Sequence, residues 1–149
     1  MGHRLGLLFT LGAAGALAAP AAAGSLPPVH SGCGDAGPTQ SDTRPTASLA
    51  SKTLTLRYTG RARMRLIGNQ TAAVTVAITQ AGGRRVGGTS EGGYTCSRPE
   101  AGLVALPINE YGRRLVRRHG SLRVRLTLHL VNGSGVRNTV RLSGVIRPE

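Results

Sequence analysis

The stretch LRVRLTLHL, residues 122–130, alternates without a break. Leu122, Val124, Leu126, Leu128 and Leu130 fall on one side of an extended chain. Arg123, Arg125, Thr127 and His129 fall on the other. Successive strand side chains point to opposite faces, so this is a strand with one face in a core and one in water. Asn132-Gly133-Ser134-Gly135 follows as a hairpin turn, its Asn-Gly pair suited to positive φ. Residues 136–146 return beside it, with Val140 and Leu142 inward and Arg141 and Ser143 outward.

The same period runs through the residues upstream. Leu54, Leu56 and Tyr58 alternate with Thr55 and Arg57, and Ala62, Met64 and Leu66 with Arg61, Arg63 and Arg65. Gly68-Asn69 turns the chain. Val74, Val76 and Ile78 form a third inward set, and Val104, Leu106 and Ile108 another. Between them Ala81-Gly82-Gly83 reads as a turn, Gly87-Gly88 and Gly92-Gly93 bracket a loose edge region, and 94–97 fits a short strand. One segment departs from period two. EYGRRLVRRH, residues 110–119, reads as a short helix: Asn109 caps its start, Glu110 suits the positive end of its dipole, and Gly120 ends it. Leu115 and Val116 share one side, with Arg113, Arg114, Arg117 and Arg118 on the opposite arc and Gly112 weakening the helix.

A chain of 149 residues suggests one domain. The first 23 residues read as a signal peptide: His3 and Arg4, an apolar run at 5–19, then Ala21-Ala22-Ala23 for cleavage before Gly24. The run is short for a membrane span, and the residues before Cys33 do not make a lipobox. Residues 24–51 are rich in Ser, Pro, Thr and Gly, and read as a flexible lead. Residues 52–149 hold the strands. About seven short strands and one helix argue for an all-β, antiparallel two-sheet sandwich. With no Trp, one Phe and three Tyr, its core is aliphatic.

The run GRRLVRRHGSLRVRL, residues 112–126, resembles a segment of secreted Ig-like or fibronectin-like β-sandwich modules of high-GC actinobacteria, and GRARMRLI, residues 60–67, resembles their early strand. The resemblance covers residues 54–147. It implies an Ig-like sandwich in a secreted or cell-surface protein, non-enzymatic, with a structural or adhesive role. Many such modules place a cysteine pair around the turn after the early strand; here Ile67, Gly68 and Asn69 stand there.

The two cysteines, Cys33 and Cys96, form an even count in an exported chain, which favours a bridge. The loop-entropy model gives it roughly 4 kcal/mol. Intermolecular pairing and two free thiols are the alternatives. Gly88-Thr89-Ser90-Glu91-Gly92 matches G-x-S-x-G, but a nucleophile elbow needs a helix after the serine and a β-like Tyr94-Thr95 follows. His30, His119 and His129 have no metal-ligand spacing, and no paired carboxylates for glycoside hydrolysis are evident. The expectation is no catalytic residue, no metal and no cofactor. The charge is the remaining feature. Nineteen basic residues, all but Lys52 arginine, stand against six acids, for a net +13. GC-rich coding explains arginine over lysine but explains the excess over acids less well. Guanidinium forks suit phosphate and carboxylate groups. Arg113, Arg114, Arg117, Arg118, Arg123 and Arg125 are the candidate face, with anionic cell-envelope polymers or nucleic acid as partners.

Overall fold

The computed structural model describes residues 37–97 and 102–149, with the backbone alone for 89–93. The expected signal at 1–23, the first part of the expected lead and Cys33 lie outside the described residues. Nine strands and one helix follow in the order β1 (Ala47–Leu49), β2 (Thr53–Leu56), β3 (Arg61–Gly68), β4 (Ala73–Gln80), β5 (Arg85–Tyr94), β6 (Cys96–Ser97), β7 (Gly102–Pro107), α1 (Glu110–His119), β8 (Leu122–Val131) and β9 (Arg137–Pro148). The described residues are mostly β with one short helix.

The strands hydrogen-bond into a single mixed sheet rather than two separate antiparallel ones. β3 carries β7 and the short β6 on one edge, and β1 followed by β2 on the other. β2 then pairs in parallel with the last strand, β9. From β9 the order runs through β8 and β4 to β5, all antiparallel. β2 is therefore a seam, shared between one layer of β1, β3 and β7 and another of β9, β8, β4 and β5. A bridge between Gly87 and Ile108 brings the far edge, β5, against the end of β7. The sheet thus curls back on itself around one aliphatic core.

The alternation explains that core. Ala62, Met64 and Leu66 of β3, Val74, Val76 and Ile78 of β4, Val104 and Leu106 of β7, and the even positions 124–130 of β8 are all buried in one cluster. Each Leu or Val so buried stabilises the fold by about 1.5–3 kcal/mol. Val140 and Leu142 of β9 are only partly buried at its margin. Tyr58 departs from the expected pattern: it is 94% exposed. β2 ends at Leu56, and residues 57–60 form a turn closed by Gly60 N–H donating to Arg57 O at 2.9 Å, so period two stops there.

The glycine-flanked edge region is also a strand, β5, paired along β4 with two irregularities in register. Its glycines allow close approach. A Cβ on Gly87 would lie 2.6 Å from Pro107 O, and Gly88 has φ 133 with Val76 O against it.

The two ends of the layered core are closed differently. α1 covers one end, where β5 and β7 meet, beside the start of β8. Asn109 caps it by accepting from Gly112 N–H at 2.8 Å, and Gly120 terminates it with φ 69. Gly112 does not weaken this helix in its setting: it is buried, and a Cβ there would lie 2.8 Å from Ile108 Cγ2 and 3.0 Å from Val86 Cβ. The other end is crossed by residues 39–46, so part of the expected flexible lead is structural. Asn132 donates to the carbonyls of Ser41 and Thr43, Gln70 Nε2 donates to Thr43 O at 2.8 Å, Asn69 Nδ2 to Arg44 O at 3.0 Å and Asn138 Nδ2 to Pro45 O at 2.9 Å. The buried amides of Gln70 and Asn132 and the half-buried one of Asn138 need partners, and they find them, as the exposed Asn69 does, in one strap of backbone.

Candidate functional site

Register decides which arginines share a surface. In the β8–β9 hairpin Arg123 lies opposite Val145, Arg125 opposite Ser143, Thr127 opposite Arg141, His129 opposite Thr139 and Val131 opposite Arg137. All ten project away from the core. Arg123, Arg125, Arg137 and Arg141 are exposed. On the neighbouring strand β4 the outward positions are Ala73, Thr75, Ala77 and Thr79, which carry no charge. Arg125 and Arg141 are diagonal neighbours, close enough for long side chains to meet.

Carboxylates are placed elsewhere. The described carboxylate side chains are those of Asp42, Glu110 and Glu149. Glu110 pairs with Arg114 at 3.4 Å within α1, and Glu149 with Arg57 at 2.9 Å. No described carboxylate pairs with Arg123, Arg125, Arg137 or Arg141. Arg147 extends the row on β9, but stands two residues from Glu149.

The six arginines expected to form one face are divided. Arg123 and Arg125 lie on the outer face of β8. The other four lie on α1, at the end of the core. Arg113 is not on an open arc: it is half-buried, its Nε is buried without a hydrogen-bond partner, and its guanidinium rests against Gly60. Arg114 is engaged with Glu110, while Arg117 and Arg118 are exposed in the last turn. The structure adds Arg137 and Arg141, which belong with Arg123 and Arg125. The sequence held the signal for them in its alternation: Arg141 reads as outward beside Val140 and Leu142, and the same period puts Arg137 on that side.

A second row, Arg61, Arg63 and Arg65, is exposed on the outer face of β3 between uncharged Leu103, Ala105 and Pro107 of β7. The groove beside it is lined by Arg57, Arg63, Arg65 and also Glu149. A carboxylate in that groove opposes an anion, whereas the β8–β9 face has none among the described side chains. A shallow, mostly apolar depression with room for about 250 Å³ lies over β8 and β9, lined by Ala81, Val124 and Val145 together with Lys52, Arg123, Arg125 and Ser143.

The remaining candidates are placed as follows. The residues of the G-x-S-x-G motif, 88–92, run inside β5, so the strand continues through the serine where a nucleophile elbow would turn into a helix. His129 Nδ1 lies 3.1 Å from Thr139 Oγ1 across the hairpin. Among the described residues no three His, Cys, Asp or Glu side chains converge, and no helix is long and apolar enough to cross a membrane. Cys96 is buried in β6 and is not a free thiol; its expected partner, Cys33, lies outside the described residues.

Comparison with protein families gives no match, and comparison with curated proteins gives none. Among solved structures, the crystal structure of the periplasmic chaperone SfaE is similar at a TM-score of 0.43 and 10% identity, over 70% of this chain and 57% of that one. The chain thus spans little more than half of that protein's length. A similarity this loose carries neither topology nor function across.

Proposed function

We propose that this chain is an exported, non-enzymatic Ig-like module that adheres to anionic polymers of the cell envelope through the outer face of β8 and β9. The observation that carries the reading is the cluster of Arg123, Arg125, Arg137 and Arg141 on two adjoining strands, with no described carboxylate among them. Crowding like charges on one face without acids costs stability, and a polyanion removes that cost. The Ig-like assignment draws on the strand order. A variable-type Ig sheet places the last strands beside the third and its neighbour, as β9-β8-β4-β5 does, while the first strand switches layers, as β1 and β2 do. Export is inferred from the charged start, the apolar run and the Ala-Ala-Ala site. A bridge between Cys33 and Cys96 is consistent with that compartment.

The test is binding of the purified protein to a soluble anionic polymer, measured across salt. Affinity should fall steeply between about 50 and 200 mM salt, because each phosphate contact releases counterions. No binding at the lower salt would remove the adhesive reading.

A further inference from the structure

We infer that His129 is a further binding residue of the β8–β9 face, and that its protonation tightens the hold of that face on an anionic polymer as pH falls. The inference rests on the adhesive reading of the same face and adds its regulation. His129 is exposed and lies opposite Thr139 in the hairpin register, with Arg137 and Arg141 at the two diagonal positions on β9. Diagonal neighbours across a strand pair lie about 7–8 Å apart, within reach of long side chains. On its other side His129 lies opposite Thr75 of β4, with Ala73 and Ala77 at the diagonals. Thr127 and Val131 stand two residues away along β8. Arg137 and Arg141 are thus the charged neighbours of the imidazole within the sheet. The strap at that end of the core carries Arg44 and Asp42, and Asp42 forms no ion pair with His129. The other two described carboxylates, Glu110 and Glu149, pair with Arg114 and Arg57.

The two ring nitrogens divide the work. Nδ1 lies 3.1 Å from Thr139 Oγ1, which orients the ring across the hairpin and leaves Nε2 as the nitrogen for a ligand. A neutral imidazole carries one N–H, so Nδ1 and the threonine hydroxyl share a single hydrogen bond that runs in either direction. A protonated imidazole donates from both nitrogens: Nδ1–H to Thr139 Oγ1, and Nε2–H, charge-assisted, to an oxygen of the polymer. That state sets a third cation between Arg137 and Arg141. On the bare face the two guanidiniums repel it, and a polyanion lying over the face offsets it. Binding and proton uptake therefore favour one another, because linked equilibria are reciprocal. Histidine changes charge between about pH 5 and 8, whereas arginine does not. Affinity should accordingly rise as pH falls through that range.

The test is the affinity of the intact protein for a single-stranded oligonucleotide in about 50 mM salt, at about pH 8 and about pH 5.5, a range that spans the histidine charge change. One added phosphate contact raises log affinity by about 0.7 per decade of salt below about 1 M, so binding roughly 8-fold tighter is expected at the lower pH. His129→Gln should remove most of that gain. His129→Arg should bind at the higher pH about as tightly as the parent does at the lower one. His119→Gln, in the last turn of α1, should keep the gain. Calorimetry in buffers of different ionisation enthalpy should show proton uptake on binding in the parent, and less of it in His129→Gln. A pH gain that survives His129→Gln, or that His119→Gln removes equally, would overturn the inference. Equal binding at both pH values would remove the proton link alone and leave the adhesive reading standing, whereas no binding at either pH would remove both.

Discussion

Replacing Asn132 with Ala should loosen the strap at the end of the core opposite the helix. Asn132 is 4% exposed. Its Oδ1 accepts from Ser134 N–H at 3.1 Å and Val136 N–H at 2.9 Å, which shapes the β8–β9 turn. Its Nδ2 donates to the carbonyls of Ser41 and Thr43 and to Gln70 Oε1. At about 1 kcal/mol net per hydrogen bond, losing the two turn bonds and the two strap bonds costs about 4 kcal/mol. Water can reach the turn and the strap, and that lowers the expected loss to roughly 2–3 kcal/mol. Urea unfolding reads the loss as a shift in midpoint at constant slope. Hydrogen exchange should also quicken at Thr39 and Gly133, whose amides donate to Thr71 O and Thr39 O at 2.8 Å each. Asn132→Asp separates the two roles. It keeps the turn acceptor, loses the donors, and sets a carboxylate oxygen against the strap carbonyls. It should therefore destabilise at least as much as Ala. A loss under about 0.5 kcal/mol in Asn132→Ala, within the range of an ordinary surface change, would refute the strap. So would an Asp variant as stable as the parent.

Gly112→Ala should destabilise, although Ala gains up to about 1 kcal/mol in helix propensity, because overpacking against Ile108 and Val86 costs about 1–3 kcal/mol; thermal denaturation gives the sign. Leu126→Ala, at a fully buried position, should cost about 2–5 kcal/mol, measured by urea unfolding. Non-reducing mass spectrometry should find a two-hydrogen deficit for Cys33–Cys96, and alkylation of both cysteines without reductant would show the bridge absent.

Much of the fold is legible in the sequence because period two is a direct imprint of burial. β3, β4, β7 and β8 follow it residue by residue. The helix bounds at 110–119 are legible from their caps, since Asn109 and Gly120 act locally. What is not legible is non-local. β2 lies parallel to β9, some ninety residues away, and no local pattern marks a strand that changes layers. The strap at 39–46 looks like a tether because its residues bury little apolar surface; its order comes from Gln70, Asn132 and Asn138, which are distant in sequence. Gly112 and the glycines of β5 read as weaknesses from propensity alone, and their value appears only when Ile108, Val86 and Val76 are beside them. The Asn132–Gly135 turn uses positive φ at Gly135 rather than at its Asn-Gly pair. The arginine surface was half visible: alternation puts Arg123 and Arg125 outward, but helical spacing alone could not show Arg113 folded against Gly60.

The central claim is that binding belongs to the β8–β9 face and not to net charge. Two variants with equal charge loss test it most directly: Arg123, Arg125 and Arg141 to Gln, against Arg61, Arg63 and Arg65 to Gln. Both sets are exposed strand positions, so both proteins should fold. With a single-stranded oligonucleotide as the polyanion, each lost phosphate contact lowers the slope of log affinity against log salt by about 0.7. The β8–β9 variant should lose about 2 from that slope and most of its affinity at about 50 mM salt, while the β3 variant keeps both nearly unchanged. Equal losses in the two variants would contradict the account and leave only a diffuse positive field.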